Sequence, residues 1–285
     1  MQGMKASTQY KMAHKKDFGR EKIEILYEDE WLCVIYKPDG LLSVPYPGSK
    51  NRTALGLLEQ IMRKKGSWSK NHRPFTVHRL DRDTSGVMMF ALTEAAQKKI
   101  MDSWHKMVTE RLYRALAENP FGKNAKPLPD SGLIDDELAY NAYNVGFVPK
   151  PGDKPSVSKL TKTAIKNHYN KSRGEQSIYE RNLTVRGGKA EFKTITARTH
   201  YKVIARGKSH TLFELSLDTG RKNQIRAHLA SKGYPLAGDE NYRAKTNPFG
   251  RLCLHARTLE FDHPFTHEHL KFEVAEPEEW SAYTL

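Results

Sequence analysis

The chain has 285 residues, 38% of them hydrophobic and 28% charged, with 47 Lys and Arg against 33 Asp and Glu and a net charge of +14. That length supports a sizeable buried core in one large domain or two small ones. The charge predicts an anionic partner: nucleic acid, an anionic membrane or an acidic substrate. No run approaches the ~18–20 apolar residues of a membrane span. The first twenty residues hold no apolar stretch, so no secretory signal is expected there. Cys33 and Cys253 sit in apolar, strand-like contexts and read as buried free thiols of a reducing cytoplasm, with no C-x-x-C pair for zinc or redox work.

In chain order, residues 1–22 form a basic tail of net charge +4. Residues 23–37 read as two strands around a Glu-Asp-Glu turn. A loop rich in Pro and Gly follows. Thr53 is the expected N-cap of a helix over 53–65, with Leu55, Leu58, Ile61 and Met62 at helical spacing. Val87–Leu92 reads as a buried strand. Residues 94–108 form an amphipathic helix with Ala95, Ile100, Trp104 and Met107 inward, and Leu112–Ala117 is another strand. Residues 145–190 carry net charge +7 and few regular apolar positions, so a basic insertion is expected over about 139–190. The spans 194–205 and 210–217 alternate as a hairpin. A helix over 221–232 stops at Gly233, and strands near 251–261 and 270–275 complete the pattern. Strands and helices do not alternate strictly, which points to an α+β fold: a mixed, mostly antiparallel sheet with helices packed on it.

Two clusters carry chemistry. The first is Val77-His78-Arg79-Leu80-Asp81-Arg82-Asp83-Thr84-Ser85-Gly86, just ahead of a buried strand. These are ordinary turn residues, yet Asp81 lies between Arg79 and Arg82, and nearby cations keep a carboxylate ionised. An ionised carboxylate in a partly dry site can be a nucleophile or a base. The kinase His-Arg-Asp triplet is broken by Leu80, and neither a G-x-S-x-G elbow nor a P-loop is present. The second cluster is Thr219-Gly220-Arg221-Lys222-Asn223-Gln224-Ile225-Arg226-Ala227-His228-Leu229. Ile225 and Leu229 would face the core. Arg226 sits about 100° round the helix from Ile225, at the edge of the buried face, where it needs a carboxylate partner.

Together, HRLDRDTSG and TGRKNQIRAHL resemble the RluA-type family of RNA pseudouridine synthases. VIYKPDGLLSVP, Arg111-Leu112-Tyr113, GYPLAGDENY and LCLHARTLEFDHP match further family segments in order. The resemblance covers roughly residues 23–280 apart from 139–190. Asn223 stands where many relatives carry His, so no catalytic role is assigned to it. No S4-type RNA-binding domain is expected in the first 22 residues.

The resemblance implies the pseudouridine synthase fold, a cytoplasmic monomer and the isomerisation of uridines in RNA without metal or organic cofactor. It implies Asp81 as the essential carboxylate, attacking C1′ or taking the 2′ proton. Arg226 would pair with Asp81, and Tyr113 would lie against the base. Arg79 would fill the space left by the flipped nucleotide, and Ile225 and Leu254 would line the uracil pocket. His78, Arg221 and Gln224 complete the substrate side. Lys159, Lys162 and Lys166 of the insertion would grip the RNA backbone. SVPYPG resembles members acting on a transfer-RNA stem-loop and a ribosomal RNA helix, which names rRNA and tRNA as substrate classes. The alternative is a non-catalytic RNA-binding or chaperone protein on the same fold. His255, His263, His267 and His269 are expected to be structural or surface residues, not a metal site.

Overall fold

The computed structural model describes residues 8–12, 22–46, 51–121, 126–155, 182–186 and 189–285. Lys159, Lys162 and Lys166 lie outside the described residues.

Eleven strands among the described residues share one mixed sheet. β1 (Thr8–Met12) falls inside the stretch expected to be tail and pairs in parallel with β15 (His269–Val274). β2 (Glu24–Glu28) and β3 (Leu32–Lys37) form the first hairpin, closed by the Asp29 carboxylate, which accepts from the backbone of Trp31 and Leu32. The short β4 (Phe75–Thr76) and β3 both pair with β5 (Ser85–Ala91). β6 (Val108–Glu118) is the long strand of the other half. It neighbours β13 (His210–Leu217), which continues through β12 (Thr199–Arg206) to the edge strand β7 (Ser131–Ile134). β14 (Leu254–Asp262) lies between β5 and β6 and also carries β15 (His269–Val274). Two hairpins stand apart from this sheet: β8 (Ala139–Tyr140) with β9 (Gly146–Phe147), and β10 (Leu183–Arg186) with β11 (Lys189–Phe192).

The helices cover both faces. α1 (Ala54–Lys65) starts at Thr53, whose side chain accepts from Gly56 N–H, and stops at Gly66 with φ 75. It buries Leu58 and Met62 against Ile35, Phe90, Tyr113 and Leu254. α2 (Glu94–Met107) buries Ala96, Ile100 and Met107 against Val34, Met89 and Phe261 on the opposite face. Ala95, expected inward, is exposed, because Ala96 is the residue one helical turn from Ile100. β3 and β5 send alternate side chains into the two clusters, which is why both read as unbroken apolar runs. α3 (Gln224–Ser231) is shorter than expected and packs with the α1 side through Ile225 and Leu229. A short α4 (Glu279–Ala282) buries Trp280.

β5 and β14 touch in parallel only at Ser85 and Gly86. Gly86 has φ +124, and a Cβ there would sit 2.1 Å from Ala256 O, so this closest approach of the two strands admits only glycine. Ser85 and Gly86 begin the strand that carries the Asp81 loop at its entrance.

Candidate active site

The loop ahead of β5 is tied down residue by residue. The His78 ring accepts from Met89 N–H at 2.9 Å and packs on Trp104. Burial pushes the His78 pKa down to about 3, with Arg111 adding to the effect, so the ring is neutral at ordinary pH. Leu80 is buried, and Ser43 Oγ holds its backbone from both ends, donating to Leu80 O and accepting from Leu80 N–H. Lys37 is fully buried and donates to the carbonyls of Pro38, Leu41 and Arg82 at 2.7–2.9 Å. Burial lowers its pKa to about 7, while three acceptors match the three donors of the ammonium form. Lys37 thus fastens the early Pro-Gly loop to the Asp81 loop.

Asp81 emerges from this frame onto a cavity of about 330 Å3, within the ~300–1,000 Å3 of ligand pockets. Its side chain is 20% exposed. Asp81 Oδ2 accepts from Asn223 Nδ2 at 2.6 Å and lies 3.6 Å from Arg226 Nη1. Oδ1 accepts no hydrogen bond among the described residues. The expected Asp81–Arg226 pair is therefore the weaker half of a shared arrangement. Arg226 makes its two short bonds to Asp239, Nε to Oδ2 and Nη2 to Oδ1, both at 2.7 Å. Asp239 is sealed from solvent, so it binds the guanidinium as a bidentate fork. Burial opposes the charged arginine, but the Asp239 carboxylate outweighs it and raises the Arg226 pKa well above the ordinary value. Tyr242 lies 5.2 Å from the guanidinium and covers it.

Tyr113, Ile225 and Leu254 reach the same cavity from β6, α3 and β14. Burial pushes the Tyr113 phenol up and Asp81 adds to this, against Arg111, so the hydroxyl stays protonated across the neutral range. Arg79 and Arg221 line the cavity as exposed cations, and Arg221 is braced by Thr196 O at 3.1 Å. Gln224 lines it too, but its amide is spent internally. It accepts from Thr219 and from Arg221 N–H, and donates to Arg198 O and Thr199. Gln224 and His78 thus line the cavity while bonded to protein, His78 through its Nε2. A second hollow of about 440 Å3 opens beside the first across Trp104, His105 and Arg111. Among the described residues no group of three His, Cys, Asp or Glu is placed to hold a metal ion.

Four contributors escaped sequence reasoning: Lys37, Ser43, Asn223 and Asp239. For Asp239 there was a signal, an acid close behind the apolar Leu236-Ala237, a costly place if buried unless a cation waits there. The hairpin β8–β9, assigned to the insertion, is bound to the start of α3: Lys222 Nζ donates to Asn144 O at 2.7 Å.

A family model described as RNA pseudouridylate synthase matches residues 32–231. An RNA pseudouridine synthase of Bacillus subtilis, YlyB, itself named as uncharacterized, is 31% identical over 258 residues, covering 90% of this chain and 70% of that protein. The ribosomal large subunit pseudouridine synthase D of a Neisseria meningitidis serogroup A strain is 30% identical over 271 residues, and the match covers 90% of this chain but 59% of that longer relative. In fold, the human RNA pseudouridylate synthase domain containing 4 is similar with a TM-score of 0.60 at 21% identity, over 90% of each chain. The chain therefore belongs to the RNA pseudouridylate synthase family, in its RluA-type branch, and has the fold and enzyme class of an RNA pseudouridine synthase.

Proposed function

We propose that the chain isomerises specific uridines in structured RNA, with ribosomal RNA the first class to test and transfer RNA the second, and that Asp81 is the essential carboxylate. The observation that carries this reading is the asymmetry of Asp81. One oxygen is held by Asn223 and faced by Arg226, while the other is left open on the cavity wall. In the reaction the C1′–N1 bond breaks, the uracil turns, C5 bonds to C1′, C5 loses its proton and N1 gains one. The bonds balance with no net oxidation. The free Asp81 oxygen either attacks C1′ or takes the 2′ proton; both roles use the same ionised carboxylate beside the same arginine.

C1′ and C5 cannot be rearranged within a stacked helix, so the uridine must flip out, at a cost of a few kcal/mol. Tyr113, Ile225 and Leu254 offer the flipped base an aromatic and apolar bed, and stacking on an aromatic ring contributes about 1–3 kcal/mol. With its phenol protonated, Tyr113 suits a hydrogen-bonding or proton-relaying role at C5 rather than that of a phenolate base. Arg79 and Arg221 at the rim suit phosphate contacts, as does the charge of residues 1–22 and 139–190. Neutralising Lys159, Lys162 and Lys166 together would then weaken RNA binding and flatten its salt dependence while sparing the chemical step. The proposed state is a monomer and the proposed location is the cytoplasm.

The test is purified protein on total RNA from cells lacking the gene, with pseudouridine mapped site by site. New pseudouridine is expected with the wild type and none with Asp81→Asn. Full rescue of the deletion by Asp81→Ala would favour the non-catalytic RNA-binding alternative.

A further inference from the structure

Asn223 stands at the cap position of α3, where an asparagine side chain ordinarily accepts from a backbone N–H of the first turn. Here it makes no capping bond. Its Nδ2 donates instead to Asp81 Oδ2 at 2.6 Å, a closer contact than Arg226 makes at 3.6 Å. The backbone is also left-handed, φ 58 and ψ 18. Left-handed backbone is uncommon for residues with a side chain, and asparagine is among those that adopt it most readily. The helix start thus forgoes a side-chain cap and brings this amide to the carboxylate instead.

The other end of the amide is engaged as well. Asn223 Oδ1 accepts from Gly146 N–H of β9 at 3.4 Å. Only one orientation of the amide suits both neighbours. Reversed, it would set two acceptors face to face at Asp81 and two donors face to face at Gly146. The hairpin is itself secured: Tyr242 Oη donates to Gly146 O, and Lys222 Nζ donates to Asn144 O. A Cβ at Gly146 would stand 2.9 Å from Lys222 O, so glycine lets the hairpin lie this close.

We propose that Asn223 is a positioning residue for the reaction: its amide, oriented by the 139–147 hairpin, pins Asp81 Oδ2 and so presents Oδ1 to the flipped nucleotide. The inference rests on Asp81 being the reacting carboxylate. An amide supplies a donor without adding positive charge, so Asn223 sets the direction of the carboxylate while Arg226, anchored on Asp239, supplies the field. Asn223 is 8% exposed, which leaves it little surface for gripping RNA, and its effect falls on the chemical step.

Three variants separate the donor from the fold. Asn223→Gly keeps the left-handed backbone without steric cost and removes the amide. Asn223→Asp keeps the shape and turns the donor into an acceptor. Asn223→His suits the same backbone and keeps an N–H donor. Each protein is used in excess over total RNA from cells lacking the gene, labelled with tritium at uridine C5. Release of label gives the single-turnover rate at saturation and the half-saturating protein concentration. Asn223→Gly is expected to slow the saturated rate about tenfold or more, equivalent to about 1.4 kcal/mol. Asn223→Asp should be slower still and Asn223→His faster than either, with the half-saturating concentration unchanged in all three. Should Asn223→Gly melt early, Asn223→Asp carries the test, since it keeps the shape while replacing the neutral donor with a charged acceptor.

A wild-type rate in Asn223→Gly and Asn223→Asp overturns the proposal. So does a loss of rate matched by an equal loss of RNA binding, or a histidine variant no better than the glycine one. Failure of the underlying reading looks different: no label released by the wild type, or label released as fast by Asp81→Asn, removes the reacting carboxylate and the proposal with it.

Discussion

Asp239 and Asp81 face the same guanidinium from two regions of the molecule, one sealed in the protein and the other on the cavity wall. Asp239 is 1% exposed and takes two short bonds from Arg226. Asp81 is 20% exposed, lies farther from that arginine and keeps an oxygen with no protein partner among the described residues. A buried carboxylate whose bonds are all met has nothing left to offer a substrate. A carboxylate oriented by one neutral donor and a more distant cation keeps its reactivity. The difference shows how a single arginine is both a structural member and an electrostatic one.

The largest effects should come from these two carboxylates, and in opposite currencies. Asp239→Asn leaves Arg226 buried without its charge partner and is expected to lower stability by about 3–5 kcal/mol, read by denaturant unfolding. Asp81→Asn should cost under about 1 kcal/mol in the same measurement, because it weakens one partly exposed hydrogen bond, yet abolish pseudouridine formation. Equal destabilisation by both would break the contrast. Next in size is Tyr113→Phe. Its hydroxyl has no protein partner among the described residues, so stability should hold while turnover falls by about a hundredfold, in the range of lost proton-transfer groups.

Arg79→Ala and Arg221→Ala should act on RNA grip and not on chemistry. Each is expected to reduce the slope of log affinity against log salt by about one unit, measured by titration at several ionic strengths. The smallest effect concerns the half-buried His269, whose pKa is raised by bonding to Asp262 and by Glu260, against the pull of burial. Its folded pKa exceeds its unfolded one, so the stabilisation is complete below about pH 6.5 and is lost as pH rises through the raised value. His269→Gln should flatten stability against pH in that window by less than about 1 kcal/mol. A fold-wide loss instead would show that the far edge of the sheet is coupled to the cavity.

What could be read in advance followed the range of the forces involved. The strands β3 and β5 announce themselves because both faces are buried and their runs Leu32–Tyr36 and Val87–Ala91 are apolar throughout. Thr53 marks α1 because capping is local. The need of Arg226 for a carboxylate was legible from its place beside Ile225, but the choice of Asp239 over Asp81 depends on how the chain turns after α3. Asn223 and Asp81 lie 142 residues apart, and nothing near either residue points to the other. β1 was unreadable for a similar reason: a basic segment becomes a strand where β15 offers it an edge.

β14 carries one further consequence, for the order in which the molecule can be made. The strands β5 and β6 meet only through it, and the Asp81 loop and Tyr113 belong to opposite sides of that seam. Yet β14 begins at Leu254, later in the chain than every other cavity residue. During synthesis from the N-terminus, both half-sheets emerge before the strand that joins them. Their inner edges then stand unpaired, the kind of exposed template that invites wrong pairing. Assembly of the cavity therefore waits on a long-range contact made late, which predicts slow, high-contact-order folding.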